Sequence, residues 1–287
     1  MKPPEFDYAA PTSLAEAVSL LADTADSKIL AGGQSLLPLL NFRLAAPSLL
    51  VDIARVPTLD SIERENGTIR IGAMVRQRVA EHSAELTEAV PLLREALRHI
   101  AHPQIRSRGT VGGSVAHADP AAELPALLVA LDGRVRATGP AGERTVGAEE
   151  LYTGFLTTTL APDEILTSVE LSAAPARTGA ACVEVARRAG DYALCGALAQ
   201  ATLADDGSVA DVRVALLGVG QRPVRARAVE EALREGHPAP DRVAAAAQQA
   251  AEGLRPPDDA QATASFRRHL ARVVTRRALL LALERAA

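Results

Sequence analysis

The chain has 287 residues, of which 48% are hydrophobic, and its 31 basic and 35 acidic residues leave a formal net charge of −4. That length suffices for two or three small subdomains, and the acidic balance excludes a general attraction to nucleic acid or to anionic membranes. Tryptophan is absent, and four Phe and three Tyr residues are too few to form an aromatic platform for stacking nucleobases.

The two cysteines, Cys182 and Cys195, are too few for an iron–sulfur cluster, which takes four thiolates. We expect both to be buried as small hydrophobic side chains. The N-terminal residues contain no apolar signal region, and no stretch approaches the roughly twenty apolar residues of a membrane span. The sequence therefore predicts a cytoplasmic protein without a transmembrane segment.

The first unit, residues 1–55, has an α/β pattern. Ser13 and Glu16 stand three residues apart in front of a helical apolar pattern, which is typical of a capped helix start. Strand-like runs at 28–31 and 49–53 enclose a Gly-Gly turn and a helix over 35–44. The pattern predicts a small subdomain built around that turn.

The second unit, residues 56–175, contains a further Gly-Gly segment, which we expect to be a loop. Its predicted strands lie at 68–72 and 164–171, with a hairpin over 134–146. Its predicted helices lie at 75–82, 91–101 and 121–131.

The third unit, residues 176–287, predicts an antiparallel sheet that carries helices. Its strands are expected at 181–187, 193–204 and 209–217, and the last two are joined by a hairpin turn at Asp205–Ser208. Its helices are expected at 226–234, 241–252 and 260–285. The chain thus has an α+β organisation of two α/β subdomains and a C-terminal domain.

The two Gly-Gly segments are the strongest candidates for a ligand site. At Gly32-Gly33 a strand passes through a tight turn into a helix, an arrangement in which backbone N–H groups and the helix dipole favour phosphate. At Gly112-Gly113 the flanking hydroxyls of Thr110 and Ser114 and the N–H groups between them are expected to point outward. Neither segment fits the Rossmann or the Walker pattern, and either one alone is compatible with a simple tight turn.

Together with their surroundings, the two segments resemble the FAD-binding (medium) subunit of molybdenum hydroxylases, the carbon monoxide dehydrogenase and xanthine dehydrogenase family. The likeness is collinear over nearly the whole chain. The stretches that carry it are AGGQSLLP (31–38), NFRL (41–44), LVDI (50–53), IRIGA (69–73), PQIR (103–106), RGTVGGS (108–114), DPAAELP (119–125) and AGDYA (189–193).

The resemblance implies a PCMH or vanillyl-alcohol-oxidase-type FAD-binding domain of two subdomains, 1–55 and 56–175, followed by a small C-terminal domain, 176–287. FAD would lie between the first two subdomains, and no metal site is expected in this chain. The implied cofactor-binding residues are Ala31, Gly32, Gly33, Gln34, Ser35, Leu36, Ile100, Thr110, Val111, Gly112, Gly113, Ser114, Asp119, Glu123, Leu166 and Tyr192.

Several of these residues have a second interpretation. Glu123 matches an acid on the ribityl hydroxyls but also suits the first turn of a helix, and Asp119 favours capping that helix. Ile100 and Leu166 match positions near the flavin, although apolar residues at such spacing are by default core. Tyr192, the candidate catalytic residue, matches an aromatic side chain beside the isoalloxazine that shields it and swings aside for the electron acceptor.

Other polar residues carry weaker signals. Arg187 and Arg188 would offset the charge of reduced flavin or of phosphate, or form a solvated pair. His99 and His102 lie three residues apart, a weak zinc pattern without a nearby acid or thiol. His117 is interpreted as a hydrogen-bonding loop residue. Three arginines on one face of the last helix, Arg268, Arg272 and Arg276, are either solvated or docked to an acidic partner.

The function implied by the resemblance is electron transfer within a heterotrimer, which can dimerise. A molybdopterin-binding large subunit would hydroxylate the substrate, and a small subunit with two [2Fe–2S] clusters would pass electrons to the FAD of this chain. An external acceptor (oxygen, a quinone or NAD) would then receive them. Two alternatives stay open, namely a free-standing FAD-dependent oxidase or dehydrogenase and an FAD-containing assembly module without turnover.

Overall fold

A computed structural model, which describes residues 2–234 and 236–287, folds the chain into three successive units, each built on one main sheet. The mixed α/β architecture with a C-terminal antiparallel sheet and helices is the fold class that the sequence predicts. Within the described residues, no helix combines the length and the apolar character needed to cross a membrane.

The first unit is a three-stranded parallel sheet with the strand order β1-β3-β2. Its elements are β1 (Asp7–Ala9), α1 (Leu14–Asp23), β2 (Ser27–Leu30), α2 (Leu36–Asn41) and β3 (Leu49–Asp52). Helix α1 starts at the predicted cap, because Ser13 Oγ accepts the Glu16 amide at 3.2 Å while Glu16 Oε2 accepts the Thr12 amide at 3.0 Å. Its apolar face packs on the central strand, where Ala17 and Val51 are fully buried.

The second unit has a five-stranded antiparallel sheet with the strand order β4-β5-β10-β6-β7. Its elements are β4 (Ile62–Glu65), β5 (Thr68–Gly72), α3 (Gln77–His82), α4 (Ala84–Ala89), α5 (Pro91–Leu97), α6 (Pro103–Arg106), α7 (Val111–His117), α8 (Glu123–Ala130), β6 (Arg134–Gly139), β7 (Gly142–Gly147), α9 (Ala148–Leu151), β8 (Tyr152–Gly154), β9 (Thr157–Thr158) and β10 (Ile165–Ser172). Val169 of the central strand β10 pairs with Ile71 on one side and with Val135 on the other, so the sheet centre is apolar. The predicted loop at Gly112-Gly113 is wrong, because these residues lie inside α7.

The third unit is a four-stranded antiparallel sheet with the strand order β11-β12-β13-β14. Its elements are β11 (Thr178–Val185), β12 (Cys195–Leu203), β13 (Val209–Leu217), β14 (Val224–Arg225), α10 (Arg227–Leu233), α11 (Pro240–Gln248) and α12 (Ala264–Ala286). Helix α12 packs so closely on β11 that a Cβ on Gly179 would lie 2.0 Å from the Ala282 carbonyl oxygen.

Both faces of this last sheet are buried. Alternate residues point to opposite faces of a strand, and in β12 Ala197 and Ala199 face the α12 side while Leu198 joins the core of the second unit. All three are fully buried. Apolar packing therefore joins the third unit to the second, and the β11–β12 loop lies toward the first two units.

The unit limits at 55/56 and 175/176 stay a prediction. Strand β3 ends at Asp52 and β4 begins at Ile62, while β10 ends at Ser172 and β11 begins at Thr178.

Candidate functional site

The turn between β2 and α2 presents a run of free backbone donors. Gly33 has a φ of +72°, a backbone conformation that side chains disfavour, and Gln34 Nε2 donates to the Gly32 carbonyl at 3.0 Å. In the described part of the chain, the five N–H groups from Gly32 to Leu36 find no acceptor. Consecutive unpaired amides of this kind form an anion-binding concavity.

The second Gly-Gly segment has its backbone amides satisfied within the chain. Thr110 caps α7, and the preceding β5–α3 connection runs alongside the segment. The amide donors and their acceptors are Val111 to Val75 O at 3.0 Å, Gly112 to Ala73 O at 3.0 Å, Gly113 to Thr110 Oγ1 at 3.0 Å and Ser114 to Thr110 O at 3.2 Å. The prediction that these N–H groups point outward is wrong, because tertiary contacts, the cap and the first helical hydrogen bond use all four.

The two glycine segments nevertheless lie against each other. A Cβ added to Gly32 would be 2.5 Å from the Arg108 carbonyl oxygen and 2.8 Å from Gly109 Cα, and one added to Gly113 would be 3.4 Å from Ala31 Cβ. The missing side chains permit this approach. We call this junction of the open amides and the glycine helix α7 the cleft; free amides beside a close glycine contact fit a ligand with a diphosphate.

Arg76 supports this contact, and the motifs gave no signal for it. Its Nη1 donates to the Arg108 carbonyl, the oxygen against which Gly32 packs. Burial and the neighbouring Arg108 guanidinium lower the pKa of Arg76, and Asp52 only partly offsets them. In the described residues no carboxylate lies within ion-pair distance of Arg76, so this edge of the cleft is electropositive.

The β11–β12 loop closes the cleft from the third unit. Gly190 has a φ of +86°, and a Cβ there would lie 2.4 Å from His102 Cε1. Tyr192, with 54% of its surface exposed, sits beside Ser35. Burial of its hydroxyl and the charge of Asp119 raise the pKa of Tyr192 to about 12, and the neighbouring Ser35 side chain opposes them.

Glu123 forms the first turn of α8 and is 7% exposed. Burial, followed by the nearby Glu184, raises the pKa of Glu123 to about 8, and burial raises that of Glu184 to about 7. His99 Nδ1 lies 3.5 Å from Glu184 Oε2, and burial lowers the pKa of His99. Glu123 therefore holds a proton near neutral pH and can donate as well as accept a hydrogen bond.

Sequence analysis did not find Glu184 as a neighbour of Glu123. It lies on β11, 61 positions after Glu123 in the numbering, and only the packing of β11 beside α8 brings the two carboxyls together. Cys182 lies next to Glu184, with a sulfur-to-oxygen distance of 3.7 Å.

Asp119 does not cap α8. Its Oδ1 accepts the Ala121 amide at 2.9 Å, and the helix begins later, after Ala122, which has no side-chain acceptor. The predicted cap is wrong because Asp119 instead closes a local turn in front of the helix.

The remaining predicted residues lie in the apolar cores or at a helix end. Leu166 is 5% exposed and belongs to the core of the second unit, and Ile100 packs partly buried against the same core. His117 ends α7, with its pKa lowered by burial. Cys182 and Cys195 are buried and unbridged, as predicted.

Comparison with known proteins identifies the family. Residues 4–173 match the model of the FAD binding domain in molybdopterin dehydrogenase, and residues 180–282 match the CO dehydrogenase flavoprotein C-terminal domain. The chain belongs to this family of FAD-binding subunits, and as such it is an oxidoreductase subunit whose cofactor is FAD.

Individual relatives match this chain over nearly their full length. The chain is 44% identical over 287 residues to the 6-hydroxypseudooxynicotine dehydrogenase complex subunit alpha of Paenarthrobacter nicotinovorans, which covers 100% of this chain and 97% of the relative. A structure of carbon monoxide dehydrogenase from Hydrogenophaga pseudoflava is similar with a TM-score of 0.97, 38% identity and 100% of both chains covered. Quinoline 2-oxidoreductase from Pseudomonas putida 86 is similar with a TM-score of 0.95, 39% identity and coverage of 100% and 99%.

Proposed function

We propose that this chain is the electron-transfer subunit of a three-subunit molybdenum hydroxylase. A large molybdopterin subunit hydroxylates the substrate, and a small [2Fe–2S] subunit delivers the electrons. FAD bound here would supply the exchange between single electrons and electron pairs, while the protein supplies binding, orientation and electrostatics. The family and the multi-subunit names of the relatives support this assignment.

The observation that carries the proposal is the run of five free amides at Gly32–Leu36, which adjoins the Gly113 segment. These amides hold the diphosphate, because fixed N–H dipoles stabilise its charge without a lysine. Gly112, Gly113 and Ser114 would line the opposite wall and hold the ribityl chain. Glu123, protonated near neutral pH, would hydrogen-bond a ribityl hydroxyl, and Tyr192 would shield the isoalloxazine.

Two measurements test this function. The tagged chain, expressed with the proteins encoded beside it, should co-purify a molybdopterin subunit and an iron–sulfur subunit. Its visible absorbance should show oxidised flavin, and the released cofactor should be FAD rather than FMN. A chain that binds FAD, recruits no partner and oxidises a metabolite alone would instead be a free-standing oxidase or dehydrogenase.

A further inference from the structure

Three side chains that no role described so far uses meet where β11 packs against the end of α5. We call them the Glu184 cluster, which consists of Cys182, Glu184 and His99. The Cys182 thiol donates to Glu184 Oε1 at 3.7 Å, His99 Nδ1 lies 3.5 Å from Glu184 Oε2, and His99 Nε2 lies 3.2 Å from the Cys182 carbonyl oxygen. Glu184 packs over Gly196 of β12, where a Cβ would lie 2.7 Å from Glu184 Cγ. The fold therefore fixes the position of this carboxyl group.

The contacts of His99 determine where the protons of the cluster lie. A carbonyl oxygen can only accept, so His99 Nε2 carries the hydrogen and donates it to the Cys182 carbonyl. In the neutral imidazole Nδ1 is then an acceptor, and it bonds to Glu184 Oε2 only when that oxygen is protonated. Burial lowers the pKa of His99 and raises the pKa of Glu184 to about 7, which favours the same state. Glu184 therefore holds a proton that it can exchange with His99 Nδ1.

The Glu184 cluster connects solvent with the cleft. The His99 side chain is 37% exposed, whereas the Glu184 side chain is 6% exposed. On the inner side, the charge of Glu184 acts on Glu123, and the charge of Glu123 acts in turn on Tyr192, which lies beside Ser35 in the cleft. The order of the proton-carrying groups from solvent inward is therefore His99, Glu184 and Glu123.

Ion pairs do not account for the two buried carboxyl groups. Among the described residues, His99 is the one basic side chain within ion-pair distance of Glu184, and none lies within that distance of Glu123. Arg106, which lowers the pKa of Glu123, is paired with Glu81 at 2.8 Å. Buried carboxyl groups without a cation are costly, and groups of this kind concentrate at functional sites. The other charged or titratable groups that act on this path are Glu95, Arg98, Asp119, Cys182 and Cys195.

We propose that the Glu184 cluster supplies the proton that a flavin in the cleft takes up on reduction: Glu123 donates it, Glu184 reprotonates Glu123, and His99 reprotonates Glu184 from solvent. This inference rests on the proposed electron-transfer function. Two electrons from the iron–sulfur subunit and one proton convert an oxidised flavin into its reduced anion, so one proton enters along the path for each pair of electrons. Glu184 and His99 touch no cofactor and act through Glu123.

The test uses the full-length chain loaded with FAD and reduced in a stopped-flow instrument by reduced methyl viologen, a one-electron donor that carries no proton. Two of these radical cations reduce one flavin, and the loss of flavin absorbance gives the rate. The rate is measured in H2O and in D2O between about pH 6 and 9, a range that spans both carboxyl pKa values. The variants are E184Q, which keeps the shape of the side chain without an acidic proton, and H99A. The control is E88Q, which removes an exposed carboxylate from α4.

In the unchanged chain, the rate should fall as the pH rises through about 7 to 8, because both carboxyl groups then lose their protons, and it should be lower in D2O. E184Q should lower the rate near neutral pH about 10- to 100-fold, since a positioned acid contributes at least this much, and should remove the pH dependence of Glu184. E184D should keep part of the rate. Added imidazole should restore the rate of H99A, because a small acid in solution replaces the exposed side chain. E88Q should behave like the unchanged chain.

Infrared spectroscopy of the apoprotein gives a measurement that is independent of turnover. A protonated carboxyl group absorbs apart from a carboxylate, so the unchanged apoprotein should show a protonated carboxyl band that titrates near pH 7. This band should be absent from E184Q and present in E88Q.

Equal reduction rates in E184Q and the unchanged chain would overturn the proton path, and so would the same slowing in E88Q. The absence of the infrared band from the unchanged apoprotein would also overturn it, because Glu184 would then hold no proton to pass on. Loss of FAD from E184Q would assign Glu184 to cofactor binding instead. Failure of the proposed function is distinguishable, since it appears in the unchanged chain as absent FAD or absent partner subunits.

Discussion

The two Gly-Gly segments are alike in sequence and opposite in use. At Gly32-Gly33 the backbone amides are open and the glycines create the turn that presents them. At Gly112-Gly113 the amides are bonded within the chain, and the glycines allow close packing against Ala73 and Ala31. A glycine pair therefore marks either donors for a ligand or room for a backbone, and only the hydrogen-bond partners distinguish the two.

The largest effect is expected from Gly32→Ala. The added Cβ would meet the Arg108 carbonyl at 2.5 Å, a backbone atom that cannot move aside, so the two walls separate. Such overpacking costs about 1–3 kcal/mol, and in the cleft this cost should lower the affinity for FAD about 10- to 100-fold. Titration of the apoprotein with FAD measures the affinity. Gly147→Ala is the control, because no heavy atom lies within 4 Å of that position. Normal FAD affinity in Gly32→Ala would contradict the contact between the walls.

Gly112→Ala should act mainly on stability. Its Cβ would lie 2.5 Å from Ala73 Cβ and 2.6 Å from Ala73 Cα, inside the core of the second unit, so the free energy of unfolding should fall by about 1–3 kcal/mol. Urea denaturation of the apoprotein measures this. If the variant kept full stability and lost more FAD affinity than Gly32→Ala, the second segment would be the main phosphate site.

Thr110→Ala separates capping from ligand binding. Thr110 Oγ1 accepts the Gly113 amide at 3.0 Å, and loss of such a cap costs about 1 kcal/mol, so the melting temperature should fall while FAD affinity of the folded protein stays the same. Thr110→Ser keeps the hydroxyl and should restore stability. A loss of FAD affinity without a loss of stability would instead assign the hydroxyl to the diphosphate.

The smallest effect concerns the pair of carboxyl groups of Glu123 and Glu184. The pKa of Glu123 is about 8 and that of Glu184 about 7 in the folded chain, both above the ordinary value of 4.5. The folded protein thus holds protons that the unfolded chain releases, so the unfolding free energy should decrease as pH rises from about 4.5 to 8. Asp119, Arg106, His99 and Cys182 surround the pair.

The double variant E123Q/E184Q should flatten this decrease, because the amides stay neutral at every pH. Thermal melting across that pH range measures the slope, and the single variant Glu95→Gln, whose carboxylate pairs with Arg285 at 2.9 Å, is the control. An unchanged slope in the double variant would mean that other groups titrate.

Local chemistry made much of the fold predictable. Ser13 and Glu16 correctly predicted the start of helix α1, and Asp205–Ser208 predicted the β12–β13 hairpin. The order of strand, glycine pair and helix predicted the turn at Gly32. The short helix α7 was missed because two glycines disfavour a helix interior, whereas the Thr110 cap and packing on Ala73 override that preference.

By itself, the sequence determined the order of the elements and the positions of the two glycine segments, since these depend on periodicity and turn residues along the chain. The class of cofactor followed from the collinear resemblance to the family. Only the tertiary structure decided which glycine segment keeps free amides and that Glu184 meets Glu123. The physical reason is that hydrogen-bond satisfaction and desolvation depend on partners far away in sequence, which no local sequence pattern identifies.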